Sequence, residues 1–94
     1  MTHYVLLKFQ ESYLTDEKFA QLQRDFSEVC DAVEGISCCK VRRNVIKRDA
    51  NMDVMVSFQA VDADALMRYL KHPLHQNIGK QNDPYVVSRV SFDA

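Results

Sequence analysis

The stretch Tyr69-Leu70-Lys71-His72-Pro73-Leu74-His75 places a phenol and two imidazoles within seven residues. An imidazole titrates near neutrality and can take a proton from a carbon next to a carbonyl group. A phenol can donate a hydrogen bond to the oxygen that becomes negative as a carbanion or enolate forms. An apolar cavity strengthens both effects, and neither needs a cofactor. Each group also has an ordinary structural use. His75 can tie an irregular loop to the sheet through its ring nitrogens. Tyr69 can fill a core with its hydroxyl satisfied. His3 can be a buried strand residue bonded to backbone.

His72 and His75 also invite comparison with a metal-ligating pair. Pro73 between them spoils the helical geometry, and no nearby cysteine or carboxylate completes a tetrahedral set, so no metal is expected. His72 is expected to point elsewhere and serve the turn. Lys40, Arg42, Arg43, Lys47 and Arg48 form a basic run. It reads as a solvated strand and hairpin end, its charge partly offset by Asp49 and Asp53. The formal net charge is −1, which gives no reason to expect a nucleic-acid or membrane partner. The three cysteines are Cys30, Cys38 and Cys39. An odd count with no CxxC spacing argues against a disulfide framework. Adjacent strand residues point to opposite faces, so Cys38 and Cys39 cannot pair simply. All three read as reduced thiols behaving as small hydrophobes, and the chain is expected to be cytoplasmic.

The elements that must position these groups follow from patterning. Residues 1–94 read as one domain with no linker or repeat. His3 to Phe9 is a short β-prone run with His3, Val5, Leu7 and Phe9 on one face. Thr15 can cap a helix with Asp16 and Glu17 at its positive end. Phe19, Leu22, Phe26, Val29, Cys30 and Val33 make its apolar stripe, and Gly35 is placed to end it. Two strands follow, Ile36 to about Lys47 and Asn51 to about Gln59, with Val54, Val56 and Phe58 on one face. Asp62 or Asp64 can cap a second helix, which Pro73 should end near Lys71. An irregular segment is expected through Pro84. The last strand, Tyr85 to Phe92, divides into Val86, Val90 and Phe92 on one face and Tyr85, Val87, Arg89 and Ser91 on the other.

The order β-α-β-β-α-β implies an α+β, ferredoxin-like sheet with helices on one face. The uncovered face should carry Tyr4, Leu6, Met55, Tyr85 and Val87. It is too apolar to leave in water, and a second copy is the simplest cover, giving a homodimer. A domain this short buries only about 60–65% of its unfolded surface, so oligomerisation also adds stability.

With these residues in view, the chain resembles the stress-responsive dimeric A/B barrel (Dabb) family. The resemblance rests on the N-terminal His3-Tyr4-Val5-Leu6 strand, the full Tyr-x-x-His-Pro-x-His segment at Tyr69 to His75, and the closing Ser91-Phe92-Asp93. It covers nearly the whole chain and implies a dimeric α/β barrel. A plant polyketide cyclase of this family uses a Tyr-His pair between sheet and helices. Carried over by motif, that pair becomes Tyr69 as oxyanion donor and His75 as general base. His3, Val5 and Leu7 would lie nearby, with Leu22 and Phe26 from the first helix and Val54 and Val56 from the third strand. The resulting expectation is a small homodimeric domain that binds a small molecule between sheet and helices. The alternative is a cofactor-independent cyclase or lyase. A haem-independent monooxygenase on a similar barrel has no specific residue to support it, and the chain has no tryptophan.

Overall fold

The first strand, β1 (Thr2–Phe9), holds the centre of the sheet in a computed structural model that describes residues 1–94. It pairs antiparallel with β3 (Val54–Ala60) on one side and with β4 (Val86–Asp93) on the other. The second strand, β2 (Ile36–Arg43), adds antiparallel to β3, giving the order β2-β3-β1-β4. Three helices connect the strands: α1 (Asp16–Ala32), α2 (Ala63–Lys71) and α3 (Pro73–Asn82). This is the ferredoxin-like α+β arrangement that the order of elements predicts.

Local signals explain where the helices begin and end. The Thr15 hydroxyl accepts a hydrogen bond from the Lys18 N–H, and the Asp62 carboxylate accepts one from the Ala65 N–H. Each satisfies a helix-start donor that the helix itself leaves free. After α1 the chain reverses through Gly35 at φ 90°. A Cβ there would lie 2.8 Å from Val61 Cγ2 and 3.1 Å from Ala65 Cβ. Gly35→Ala is therefore expected to destabilise the fold by on the order of 2 kcal/mol, through left-handed strain and a clash with Val61 and with Ala65 of α2. Thermal unfolding measures it as a lowered Tm.

The helices cover one sheet face. Leu7, Phe9, Val54, Val56 and Phe58 from the strands meet Leu22, Phe26 and Val29 of α1 in a single core. The other face presents Tyr4, Leu6 and Met55, with Val90 and Phe92 beside them at 51% and 66% exposure.

Two expectations are corrected here. The segment after His72 is helical for ten residues rather than irregular. Proline is well suited to the first turn of a helix, whose N–H has no partner to lose. Pro73 thus ends α2 and starts α3, and His72 caps α3 by accepting the Leu74 N–H on Nδ1 at 3.1 Å. The second correction concerns β4. Lys8 pairs with Ser88, but Phe9 pairs with Val86, so Val87 is an extra, bulged residue. The phase beyond it reverses: Arg89, Ser91 and Asp93 lie on the helix side opposite Leu7, Val5 and His3, while Val90 and Phe92 join the uncovered face. Tyr85 precedes the strand in a single 3-10 turn and stacks on Tyr13 at 4.3 Å.

Candidate active site

A cavity of about 280 Å³ lies between the helices and the β1–β4 half of the sheet. At ~30 Å³ for each water-sized group, it has room for about nine of them. Its walls are mostly apolar, with Val5 and Leu7 below, Leu22 and Phe26 from α1, and Leu66 and Ile78 from α2 and α3. Tyr69, His75 and His3 bring polar atoms to it. Val54 and Val56 do not reach it. They are 2% and 0% exposed in the core beside it. Alternation identifies them as helix-facing, but their part of that face is filled.

Four rings run in series from β1 to α3. His3 packs on Phe58 at 5.0 Å, Phe58 on Tyr69 at 4.4 Å, and Tyr69 on His75 at 4.7 Å. The last residue of α2 and the cap at His72 set the turn that brings His75 back over Tyr69. His75 Nδ1 donates to the Leu70 carbonyl at 3.1 Å. A carbonyl only accepts, so Nδ1 carries the hydrogen, and the neutral ring keeps its lone pair on Nε2. Burial pulls the His75 pKa below its ordinary value. The Leu70 hydrogen bond opposes this, Arg89 adds to it, Asp83 opposes it, and His3 adds to it. The ring is thus neutral at physiological pH and able to accept a proton.

Tyr69 is 1% exposed. Burial, with smaller contributions from Cys30 and Cys39, raises its phenol well above the ordinary value. It therefore stays protonated as a hydrogen-bond donor. Every fully enclosed side-chain nitrogen and oxygen in the chain has a partner. The Tyr69 hydroxyl has no protein partner, so it opens onto cavity space. It does not fill the satisfied core role that a tyrosine can take.

Several contributors escape sequence reasoning. His3 bonds to a side chain rather than to backbone: its Nδ1 lies 2.5 Å from Asp93 Oδ1. Asp93 and Arg89 reach the cavity only because the β4 bulge turns them inward. Arg89 pairs with Asp83, which also lines the cavity. Asn82 is committed elsewhere, accepting from the Tyr13 hydroxyl at 2.7 Å and donating to the Ile78 carbonyl at 2.8 Å. A signal for α3 was present in the His72-Pro73 pair, since a side-chain acceptor followed by proline is a helix start as well as a helix stop. The bulge has no such signal.

The basic run is divided by the sheet. Lys40 and Arg42 lie opposite Ser57 and Met55 on the uncovered face. Arg43 turns to the helix side, donating to Asp16 Oδ1 at 2.5 Å and to the Leu14 carbonyl at 2.6 Å. Asp53 accepts the Phe9 N–H at 2.8 Å. These pairings hold the hairpin end and α1 together.

The architecture has close counterparts among solved structures. A dimeric ferredoxin-like protein of unknown function from Thermobifida fusca YX superposes with a TM-score of 0.81 at 19% identity, over 97% of this chain and 85% of that one. A Dabb family protein from Mesorhizobium loti gives 0.76 at 20% identity, over 99% and 92%. A hydroxynitrile lyase from Passiflora edulis gives 0.77 at 13% identity, over 97% and 87%. At these identities the likeness shows the fold. No curated protein gives a match. No helix is long and apolar enough to cross a membrane. The sequence matches the family described as Stress responsive A/B Barrel Domain over residues 1–94, and the chain accordingly belongs to the Dabb family.

Proposed function

We propose that this chain is a homodimer that takes a small carbonyl compound into the cavity and moves a proton on it without a cofactor, as a cyclase or lyase does. The observation that carries this reading is the 3.1 Å hydrogen bond between His75 Nδ1 and the Leu70 carbonyl. Leu70 holds the Nδ1 hydrogen, which leaves the Nε2 lone pair as base. In the proposed step, Nε2 takes the proton from the carbon next to the carbonyl. The electron pair moves onto the carbonyl oxygen, and the Tyr69 hydroxyl donates a hydrogen bond to the resulting oxyanion. The apolar walls reduce screening of both interactions. The hydroxynitrile lyase from Passiflora edulis supports the enzyme reading through fold alone. Dimerisation is supported by the apolar uncovered face and by solved relatives described as dimeric.

A panel of small ketones, β-dicarbonyl compounds and aldehydes tests the reading by thermal shift and by NMR titration. At least one class is expected to raise Tm and to perturb Leu22, Phe26 and Tyr69. Binding without any chemical change would reduce the role to ligand capture. Absence of binding across the panel would overturn the assignment.

A further inference from the structure

A bulge in β2 changes the environment of two cysteines. Ser37 pairs with Gln59 and Lys40 with Ser57, so β2 carries one extra residue between these pairs. Cys38 takes φ 55°, in the left-handed region that side chains with a Cβ rarely adopt. Ile36 packs on the core, so regular alternation would send Cys38 inward and Cys39 outward. The bulge reverses this. Cys38 is exposed, while Cys39 is half-buried and packs against the core that contains Cys30. Cys39 Sγ lies 3.9 Å from the Phe26 carbonyl oxygen. That carbonyl is one helical turn before Cys30 on the same helix. Cys39 thus faces the turn of α1 that carries Cys30, near enough for each thiol to shift the ionisation of the other. Neither has a part in the proton-transfer step.

We propose that Cys30 and Cys39 are a hydroperoxide-oxidisable dithiol that closes reversibly to a disulfide tying α1 to β2. The two thiols are unequal, as such chemistry requires. Interaction with the neighbouring Cys30 thiol lowers the Cys39 pKa against the opposing effect of burial. The same interaction, followed by burial, raises that of Cys30. The thiolate is the nucleophile, and Cys39 is half-buried where Cys30 is 3% exposed, so peroxide reaches Cys39 and Cys39 attacks first. Its sulfur bonds to one oxygen of hydrogen peroxide, the O–O bond breaks, and hydroxide leaves and takes a proton to become water. Cys39 is now a sulfenic acid. The Cys30 sulfur attacks the Cys39 sulfur, the S–O bond breaks, and the hydroxyl leaves as water with the Cys30 proton. Two thiols are oxidised to one disulfide, and peroxide is reduced to two waters. A small dithiol reverses the step by exchange.

The test uses the full chain carrying Cys38→Ser, which removes the exposed thiol. The protein is treated with hydrogen peroxide, denatured, alkylated and cleaved after Glu34, which lies between the two cysteines. The expected product is a Cys30–Cys39 linked peptide pair, with both thiols lost together and recovered with dithiothreitol. In chains that also carry Cys30→Ser, oxidation is expected to stop at a Cys39 sulfenic acid trapped by dimedone. The unsubstituted chain should lose two hydrogens in intact mass when oxidised as a single chain. Both thiols remaining open to alkylation, or Cys39 oxidising further while Cys30 stays free, would overturn the proposal.

Discussion

Replacing His75 by asparagine will lower kcat/KM on a bound carbonyl substrate by about 10²–10⁴-fold, the usual size of a general-base contribution. Asparagine can still donate to the Leu70 carbonyl, so the local structure keeps its tie while the basic lone pair is lost. Far-UV circular dichroism should be unchanged. Tyr69→Phe removes only the hydroxyl and should cost about 10²–10³-fold, mostly in kcat, because the oxyanion forms only in the transition state. The pH profile separates this role from a structural one. His75 acts when neutral, and burial lowers its pKa from the ordinary 6.5. Activity should therefore rise with pH through a value below 6.5 and be level across neutrality. The rising limb should vanish in His75→Asn. Stability follows the same sign. Below pH 6.5 the unfolded imidazole takes up a proton before the folded one does. The stability contribution of neutral His75 is full above that value and is lost as pH falls towards the folded pKa. Urea midpoints at about pH 7.5 and about pH 5 should differ less in the variant than in the parent chain.

Leu6→Asp should separate the proposed dimer. Leu6 lies opposite both Met55 and Val90 on the uncovered sheet face, with Tyr4 and Phe92 alongside. In a two-fold assembly every substitution appears twice, so the change buries two unpaired carboxylates against an apolar surface. A loss of on the order of 2–4 kcal/mol corresponds to roughly a 30- to 700-fold rise in the dimer Kd. Light scattering coupled to gel filtration at low micromolar concentration measures the change in mass. A parent chain that already runs as a single copy would remove the dimer from the account.

Much of the fold is legible from particular residues. The apolar run of β1, the cap residues Thr15 and Asp62, and Gly35 each act locally, and the structure places them as their chemistry requires. The Tyr69, His75 and His3 convergence follows from the motif and from the strand phase of His3. What escaped the sequence is non-local or has two meanings. Pro73 is equally good at ending one helix and opening the next, and the polar run that follows has only Leu74 and Ile78 to mark a buried stripe. The bulges at Cys38 and Val87 each reverse the side-chain phase beyond them. They bring Cys39, Arg89 and Asp93 to the helix side, which simple alternation assigns otherwise. Val54 and Val56 show a related limit of pattern: periodicity reports which face is covered, while helix placement decides where that cover leaves space.

Proton transfer in the cavity is tested most directly by hydrogen–deuterium exchange on small carbonyl compounds in D2O, followed by NMR. The chain should exchange the hydrogen next to the carbonyl of a bound compound faster than buffer does, Tyr69→Phe should slow it, and His75→Asn should return it to the buffer rate. Exchange no faster than in buffer for every compound that binds, or exchange unchanged by His75→Asn, would contradict the assignment of Nε2 as the base.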